Sequence, residues 1–436
     1  MEPGILVIII FASLLLLLAV GVPVAFSLFG LSMVLALVAA GPKMLFVSYI
    51  AVFATMITDV LLAIPLFIFM ATILGFSGVI SNLYDMAYKW FGPLRGGLAI
   101  GTLVIAALIA AMSGVGATAT VTLGLLALPE MLKRGYHKDI ALGCIPAGGA
   151  LGPVIPPSIV MIILGSLTAL SVGRLFIAGI VPGLLITGMW AVYVAIWAFI
   201  RPELAPAIAP EERATWGEKI TSLRHVVAPI CLIVLVLGAI YAGITTPTEA
   251  GGVGAAGALV CAAINRQLNW RAIRRATIEA TLTTGLVMWL LCGGASFAAV
   301  MQISGLSAFI RDTILTLSQN PMILVGFMLL VAIFLGCFMD AGANLMICTP
   351  IFWPVVITLP IDPLWWGLVF TLTLCVGYIT PPFGMNLFYL KGVAPKDVTL
   401  GEIYHATIPF CLIYLVGIAI VMLFPAIATW LPGLMI

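Results

Sequence analysis

Ten apolar runs divide the chain, at about 4–40, 59–81, 96–131, 139–168, 176–200, 226–264, 286–306, 321–358, 363–390 and 404–430. A helical crossing of the hydrocarbon core takes about 20 apolar residues, so the runs supply ten or more crossings. The chain cannot cover itself with polar surface: 8% of its residues are charged and 63% are hydrophobic, where a soluble domain carries about 25% charged residues. A soluble enzyme, a nucleic-acid binder and a disordered scaffold are excluded. The fold class is an all-α polytopic membrane protein.

Motif counting narrows the chemistry further. The eight cysteines sit inside apolar runs without CxxC spacing, so they read as small buried hydrophobes. There is no GxxxxGK[ST] and no HExxH, so the chain is neither an ATPase nor a zincin-like intramembrane protease. The start, Met1-Glu2-Pro3-Gly4, has no basic n-region and reads as the beginning of a first span. His137, His225 and His405 lie near loops and carry no assigned role.

Run 4–40 is too long for one crossing and breaks near Gly21-Val22-Pro23; run 226–264 breaks near Thr245-Thr246-Pro247. The stretch 268–285 carries Arg271, Arg274 and Arg275 near one face and reads as an interfacial helix. Asp59 and Glu249 read as residues at span edges. Fifteen of the 18 basic residues fall in loops that can share one side, and only Lys43, Arg174 and Arg311 fall in the others. By the positive-inside rule the fifteen are cytoplasmic and both termini periplasmic. This balance holds only if runs 96–131 and 321–358 each enter and leave on the same side. Both break at their midpoints, at Ser113-Gly114 and at Asp340-Ala341-Gly342. They read as re-entrant helical hairpins of opposite orientation, buried in protein or lining a water-filled cavity.

A weak internal repeat agrees. Ser77-Gly78 recurs as Ser304-Gly305, Asp85 as Asp312, Ser113 as Asp340, Pro156-Pro157 as Pro381-Pro382 and Pro23 as Pro247, at nearly one shift. The halves are 1–200 and 226–436, joined by the polar linker 201–225. Opposite orientation makes this an inverted-topology repeat, an architecture of secondary transporters.

The chemistry concentrates at four helix breaks: the two tips and two broken spans, at about 139–168 and 363–390. Gly152, Pro156, Pro157 and Ser158 mark one broken span; Thr380, Pro381, Pro382 and Asn386 mark the other. Pro removes a donor and unwinds the helix. Unwinding frees carbonyls for a cation and exposes helix N-termini to an anion. Ser113, Gly114, Thr118, Thr120, Asp340, Gly342 and Asn344 line the tips. Each hydroxyl or amide alone is explained by satisfying backbone, and Asp340 alone as a helix cap. Together they form the polar lining of a site, and an ionisable residue at membrane depth points to function. Sodium is placed near Ser113, Gly114, Asp340 and Thr380. No basic residue falls in the central part of a span, so an anion is held without an arginine clamp.

These residues also carry a family resemblance. Leu128-Pro129-Glu130-Met131-Leu132-Lys133-Arg134-Gly135-Tyr136, Gly152 to Ser158, Thr246 to Ala250, Asp362-Pro363 and Gly377 to Gly384 resemble the large membrane subunit of tripartite ATP-independent periplasmic (TRAP) transporters. The resemblance implies a sodium-coupled importer of an organic anion, such as a C4-dicarboxylate or a sialic-acid-like sugar acid, in a bacterial inner membrane. It implies a small four-helix membrane subunit, a periplasmic substrate-binding protein, an elevator motion, and no covalent cofactor. The tips and Pro-Pro breaks would hold sodium and substrate. The first tip departs from the serine-rich pattern of many relatives; backbone carbonyls and Thr118 or Thr120 would substitute. The alternative is a stand-alone elevator-type anion transporter without a binding protein.

Overall fold

The computed structural model describes residues 2–435; the side chains of Pro3, Ala39, Ala40 and His225 are also outside the described set, so the reading of His225 is not addressed. Its ordered elements are helices. The first half contains α1 (Pro3–Ala19), α2 (Val24–Ala40), α3 (Leu45–Met56), α4 (Ala63–Phe76), α5 (Val79–Phe91), α6 (Gly97–Ser113), α7 (Gly116–Lys133), α8 (Lys138–Gly149), α9 (Ile159–Thr168) and α10 (Val172–Ile200). The second contains α11 (Trp216–Tyr241), α12 (Pro247–Ile264), α13 (Trp270–Ile303), α14 (Leu306–Leu317), α15 (Pro321–Gly336), α16 (Ala341–Val356), α17 (Pro363–Val376), α18 (Met385–Val393), α19 (Leu400–Leu423) and the single turn α20 (Ala426–Thr429).

The breaks fall where Gly and Pro stand. Pro23 ends the gap between α1 and α2, and Thr246 caps α12 just before Pro247. Glu249 completes that capping box, which accounts for its place at a span edge. Gly78 and Gly305, both left-handed (φ 73° and 78°), separate α4 from α5 and α13 from α14. The repeat seen as Ser-Gly in sequence is thus the same turn in both halves. Both Pro-Pro bonds are cis.

Five segments are individually long and apolar enough to cross a bilayer: Asp59–Phe76, α10, α12, α13 and α19. Most of the other helices are shorter and meet at the breaks. Large side chains such as Phe199 (81% exposed) and Leu423 (74%) face outward, and only an apolar surround removes that surface from water. The chain is a multi-pass membrane protein.

One boundary differs from the sequence reading. The stretch 268–285 is not a separate interfacial helix. It is the first half of α13, 34 residues long and about 51 Å at 1.5 Å per residue. Its exposed threonines interrupt the apolar pattern but donate to the preceding turn, as Thr277 does to the Ile273 carbonyl and Thr281 to the Thr277 carbonyl, so the helix continues. Within the stretch read as the 201–225 linker, a Thr215–Glu218 capping box starts α11 at Trp216, and the helix bends by 47° between Arg224 and Val226.

Packing sorts the helices around the two breaks. α8 packs on α6 and α7, whereas α9, after the break, reaches α16 and α17. α17 packs on α15 and α16, whereas α18, after its break, reaches α7 and α8. Each broken span therefore begins beside one helix pair and ends beside the other. Around them, α13 lies along α2, α3 and α4 and also meets α16, with Ser32 and Ser296 hydrogen-bonded at 2.6 Å between α2 and α13. The linker is stitched to the turn between α5 and α6 and to the cap of α8. Gly96 N donates to Ala205 O, His137 N to Leu204 O and Ile208 N to Gly92 O, at 2.8–2.9 Å. Arg134 adds ion pairs to Glu130 and Glu212, both 2.6 Å, and donates to the Tyr88 hydroxyl.

Candidate functional site

The turn between α6 and α7 is seated against the first broken span with no room to spare. Gly114 takes φ 61°, and a Cβ there would lie 2.2 Å from Pro157 O. A Cβ on Gly116 would lie 2.4 Å from Gly149 O; one on Gly152 would lie 2.5 Å from Gly116 N. The second turn meets the second break in the same way, with a Cβ on Gly377 2.6 Å from Gly336 O. Glycine is required at these positions by backbone-to-backbone contact.

The polar residues at the breaks first satisfy backbone. Ser113 Oγ donates to Val115 O (3.2 Å), Thr120 Oγ1 to Gly116 O (3.2 Å) and Thr380 Oγ1 to Val376 O (2.7 Å). Ser158 caps α9, accepting from Met161 N at 3.2 Å. Asp340 caps α16: Gly342 N donates to its Oδ2 at 2.8 Å, and the Tyr378 hydroxyl donates to its Oδ1 at 2.9 Å. Asn344 Nδ2 donates to Ala332 O (2.7 Å), fixing α16 on α15. Asn386 Nδ2 reaches across to Pro146 O at 3.0 Å, joining the second broken span to the first. Asn386 Oδ1 is buried and has no donor among the described residues.

Both turns and both breaks open onto one cavity of about 480 Å³. Gly114 to Ala117, Pro153, Asp340, Gly342, Tyr378 and Met385 reach it, facing α2 and α13. Gly114, Asp340 and Gly342 are thus brought together as the sequence reading requires. Ser113, Gly152, Pro156, Pro157, Ser158, Asn344 and Asn386 are buried rather than on its wall. Thr118 lines an adjoining cavity of about 530 Å³ with Glu279 and Thr283. Thr380 does not reach the cavity wall; its hydroxyl lies 3.5 Å from Cys411 Sγ. Pro381 and Pro382 are likewise off the wall, and Pro382 O accepts from the Tyr404 hydroxyl at 2.6 Å. Tyr389 and the α13 residues Thr283, Leu286, Val287 and Leu290 were not singled out by sequence; only the interrupted apolar pattern of 268–285 hinted at a wall there. Among the described residues no group of three His, Cys, Asp or Glu could hold a metal ion.

Residues 11–427 match the family model described as "Tripartite ATP-independent periplasmic transporter, DctM component". The chain is 34% identical over 408 residues to the C4-dicarboxylate TRAP transporter large permease protein DctM of Pseudomonas aeruginosa, covering 93% of each. It is 31% identical over 428 residues to the isethionate TRAP transporter permease protein DctMQ of Oleidesulfovibrio alaskensis, covering 98% of this chain and 66% of that protein. Among solved structures it resembles the Alcanivorax borkumensis YdaH transporter with a TM-score of 0.65 at 15% identity, over 96% of this chain and 98% of that one. That likeness concerns the fold alone.

Proposed function

Because the chain belongs to the family of the DctM component of tripartite ATP-independent periplasmic transporters, a family of permeases and not of enzymes, we propose that it imports an organic anion, driven by sodium, across a bacterial inner membrane. The observation that carries this reading is the single cavity onto which both helical turns and both Pro-Pro breaks open.

The anion would sit at the start of α7, where Val115 provides no side-chain cap and Val115, Gly116 and Ala117 border the cavity. The corresponding end of α16 is already filled by Asp340. The coupling ions would lie just behind. Asn386 Oδ1, Gly116 O and Gly149 O gather beside Thr120 with more acceptors than donors, which suits a hard cation. Asp340 gives a second place for positive charge. Each sodium crossing a potential of about 100 mV releases about 2.3 kcal/mol, so two or three concentrate an anion strongly.

In this reading the pairs α6–α7 and α15–α16 are re-entrant hairpins of an inverted repeat. With the broken spans they slide, elevator-fashion, against the helices around α13. A small four-helix membrane subunit completes the frame and a periplasmic binding protein delivers the cargo. Both termini face the periplasm. The P. aeruginosa and O. alaskensis relatives are named for a C4-dicarboxylate and isethionate, so an acid of that size range suits the cavity.

The test is uptake of a labelled acid into proteoliposomes holding this chain and its small subunit, with binding protein outside and a sodium gradient inward. Uptake that needs all components and sodium supports the reading. Uptake by this chain alone favours a stand-alone transporter, and sodium-independent uptake sinks the coupling.

A further inference from the structure

Away from the central cavity, a groove on the outer surface leads to a charge. It follows α10 in two parts of about 580 Å³ and 230 Å³, which meet at Ile196. The larger part is lined by Tyr193 of α10 and Ile413 of α19, and its side chains are apolar apart from the Tyr193 hydroxyl. Gly188 leaves a notch in it, an exposed position where an added Cβ would meet nothing within 4 Å. The smaller part passes Trp197 and finishes at Arg201, which caps the end of α10.

A basic residue at the end of a helix is ordinary, because the helix dipole favours it. Arg201 differs in having no counter-charge. Its side chain is exposed, lies 5.9 Å from the centre of the Trp197 ring, and forms no ion pair among the described residues, not even with Glu203 two positions on. The Trp197 indole N–H likewise has no acceptor among the described residues, whereas those of Trp190 and Trp365 do. The dimensions are those of one leaflet: Gly188 and Arg201 lie about 20 Å apart along α10, and half a bilayer with its headgroups is about 20–22 Å. Lipid covers an outward apolar face in any case, and a guanidinium at one end selects which lipid, because arginine pairs strongly with phosphate. The positive-inside rule puts Arg201 at the cytoplasmic leaflet, whose anionic lipids attract basic residues.

We propose that this groove binds one anionic phospholipid of the cytoplasmic leaflet. Its phosphate meets Arg201 and the Trp197 indole N–H, and one acyl chain runs along α10 past Ile196 and Tyr193 to the notch at Gly188. The site lies on α10 and α19, away from the cavity that the transport reading uses, so it stands or falls independently of that reading.

The experiment is native mass spectrometry of the full-length protein in detergent, titrated with dioleoyl phosphatidylglycerol or dioleoyl phosphatidylcholine, reading the first lipid bound. Phosphatidylglycerol is expected to bind about fivefold tighter. Arg201→Gln should bring it down to the level of phosphatidylcholine and leave phosphatidylcholine unchanged. Gly188→Phe fills the notch and should weaken both lipids. Thermal unfolding of each preparation checks the fold, and Gly188→Leu replaces the phenylalanine variant if that one unfolds. Arg271→Gln, at the start of α13, should keep the preference. Equal binding of the two lipids by the wild type overturns the proposal, as does a preference that survives Arg201→Gln. An equal loss in Arg271→Gln also overturns it, because the preference is then diffuse charge. Binding of both lipids unchanged by the groove variants removes the acyl chain from the groove. Displacement of phosphatidylglycerol by an equal concentration of glycerol 3-phosphate would mean that the site holds a free phosphate and not a lipid.

Discussion

Gly152→Ala is the sharpest probe of the site, because one methyl group meets three backbone atoms at once. The added Cβ would lie 2.5 Å from Gly116 N, 2.7 Å from Val115 C and 2.8 Å from Gly116 Cα. Carbon contacts are comfortable at about 3.5–4.0 Å, so the α6–α7 turn has to withdraw by about 1 Å. No flexible side chain can absorb the displacement, since all three partners are main chain. Overpacking of this kind costs about 1–3 kcal/mol of stability. The functional loss should be larger: misplacing a positioned group by about 1 Å costs on the order of 100-fold in rate. The assay is sodium-driven uptake in proteoliposomes, with thermal unfolding measured on the same preparations. Gly188→Ala, whose Cβ meets nothing within 4 Å, is the control and should match wild type. Gly377→Ala tests the second turn, because its Cβ would lie 2.6 Å from Gly336 O and 3.0 Å from Gly336 C. If Gly152→Ala melts and transports like Gly188→Ala, the turn is not held by the break and the reasoning fails.

Asp340→Asn keeps an N-cap residue and should change stability by less than about 1 kcal/mol, while removing the negative charge should weaken sodium dependence of uptake; an unchanged sodium titration would argue against cation binding there. Asn386→Ala removes the Asn386–Pro146 hydrogen bond between the broken spans and should destabilise by about 1–3 kcal/mol, read as a lowered melting temperature. Arg134→Gln breaks the Glu130 and Glu212 ion pairs. These pairs are partly exposed, so the stability loss should stay near about 1 kcal/mol, and faster tryptic cleavage at Arg213 is the readout.

The breaks were legible in the sequence because Gly and Pro impose their own geometry whatever surrounds them. Gly78 and Gly305 take left-handed turns, and Pro156-Pro157 and Pro381-Pro382 stand in unwound backbone. Gly114, Asp340 and Gly342 reached the cavity for the same reason: a turn at membrane depth has to be lined by something polar or small. Thr380 did not follow, because its hydroxyl closes onto the preceding helical turn, a local bond that chain spacing cannot distinguish from a ligand-facing one. The continuity of α13 was hidden by its threonines, which look like loop residues until they are seen donating to their own helix. The Asn386–Pro146 bond joins residues 240 positions apart, and nothing local announces it.

The stitched linker has a consequence for how the chain can be taken apart or tagged. Residues 204–208 share three main-chain hydrogen bonds with the α5–α6 turn and the cap of α8, and Glu212 is tied in by Arg134. In assembly terms this segment is a seam along α5, α6 and α8, and it ends at the short step from Arg213 to the Thr215 cap. A split-protein pair divided inside 204–212 would tear the seam from its own half. One divided at 213–214 would spare the seam and the Thr215–Glu218 cap, leaving α11 to re-form its packing on α5. A reporter inserted at that step would interrupt neither the three seam bonds nor the Thr215–Glu218 capping box.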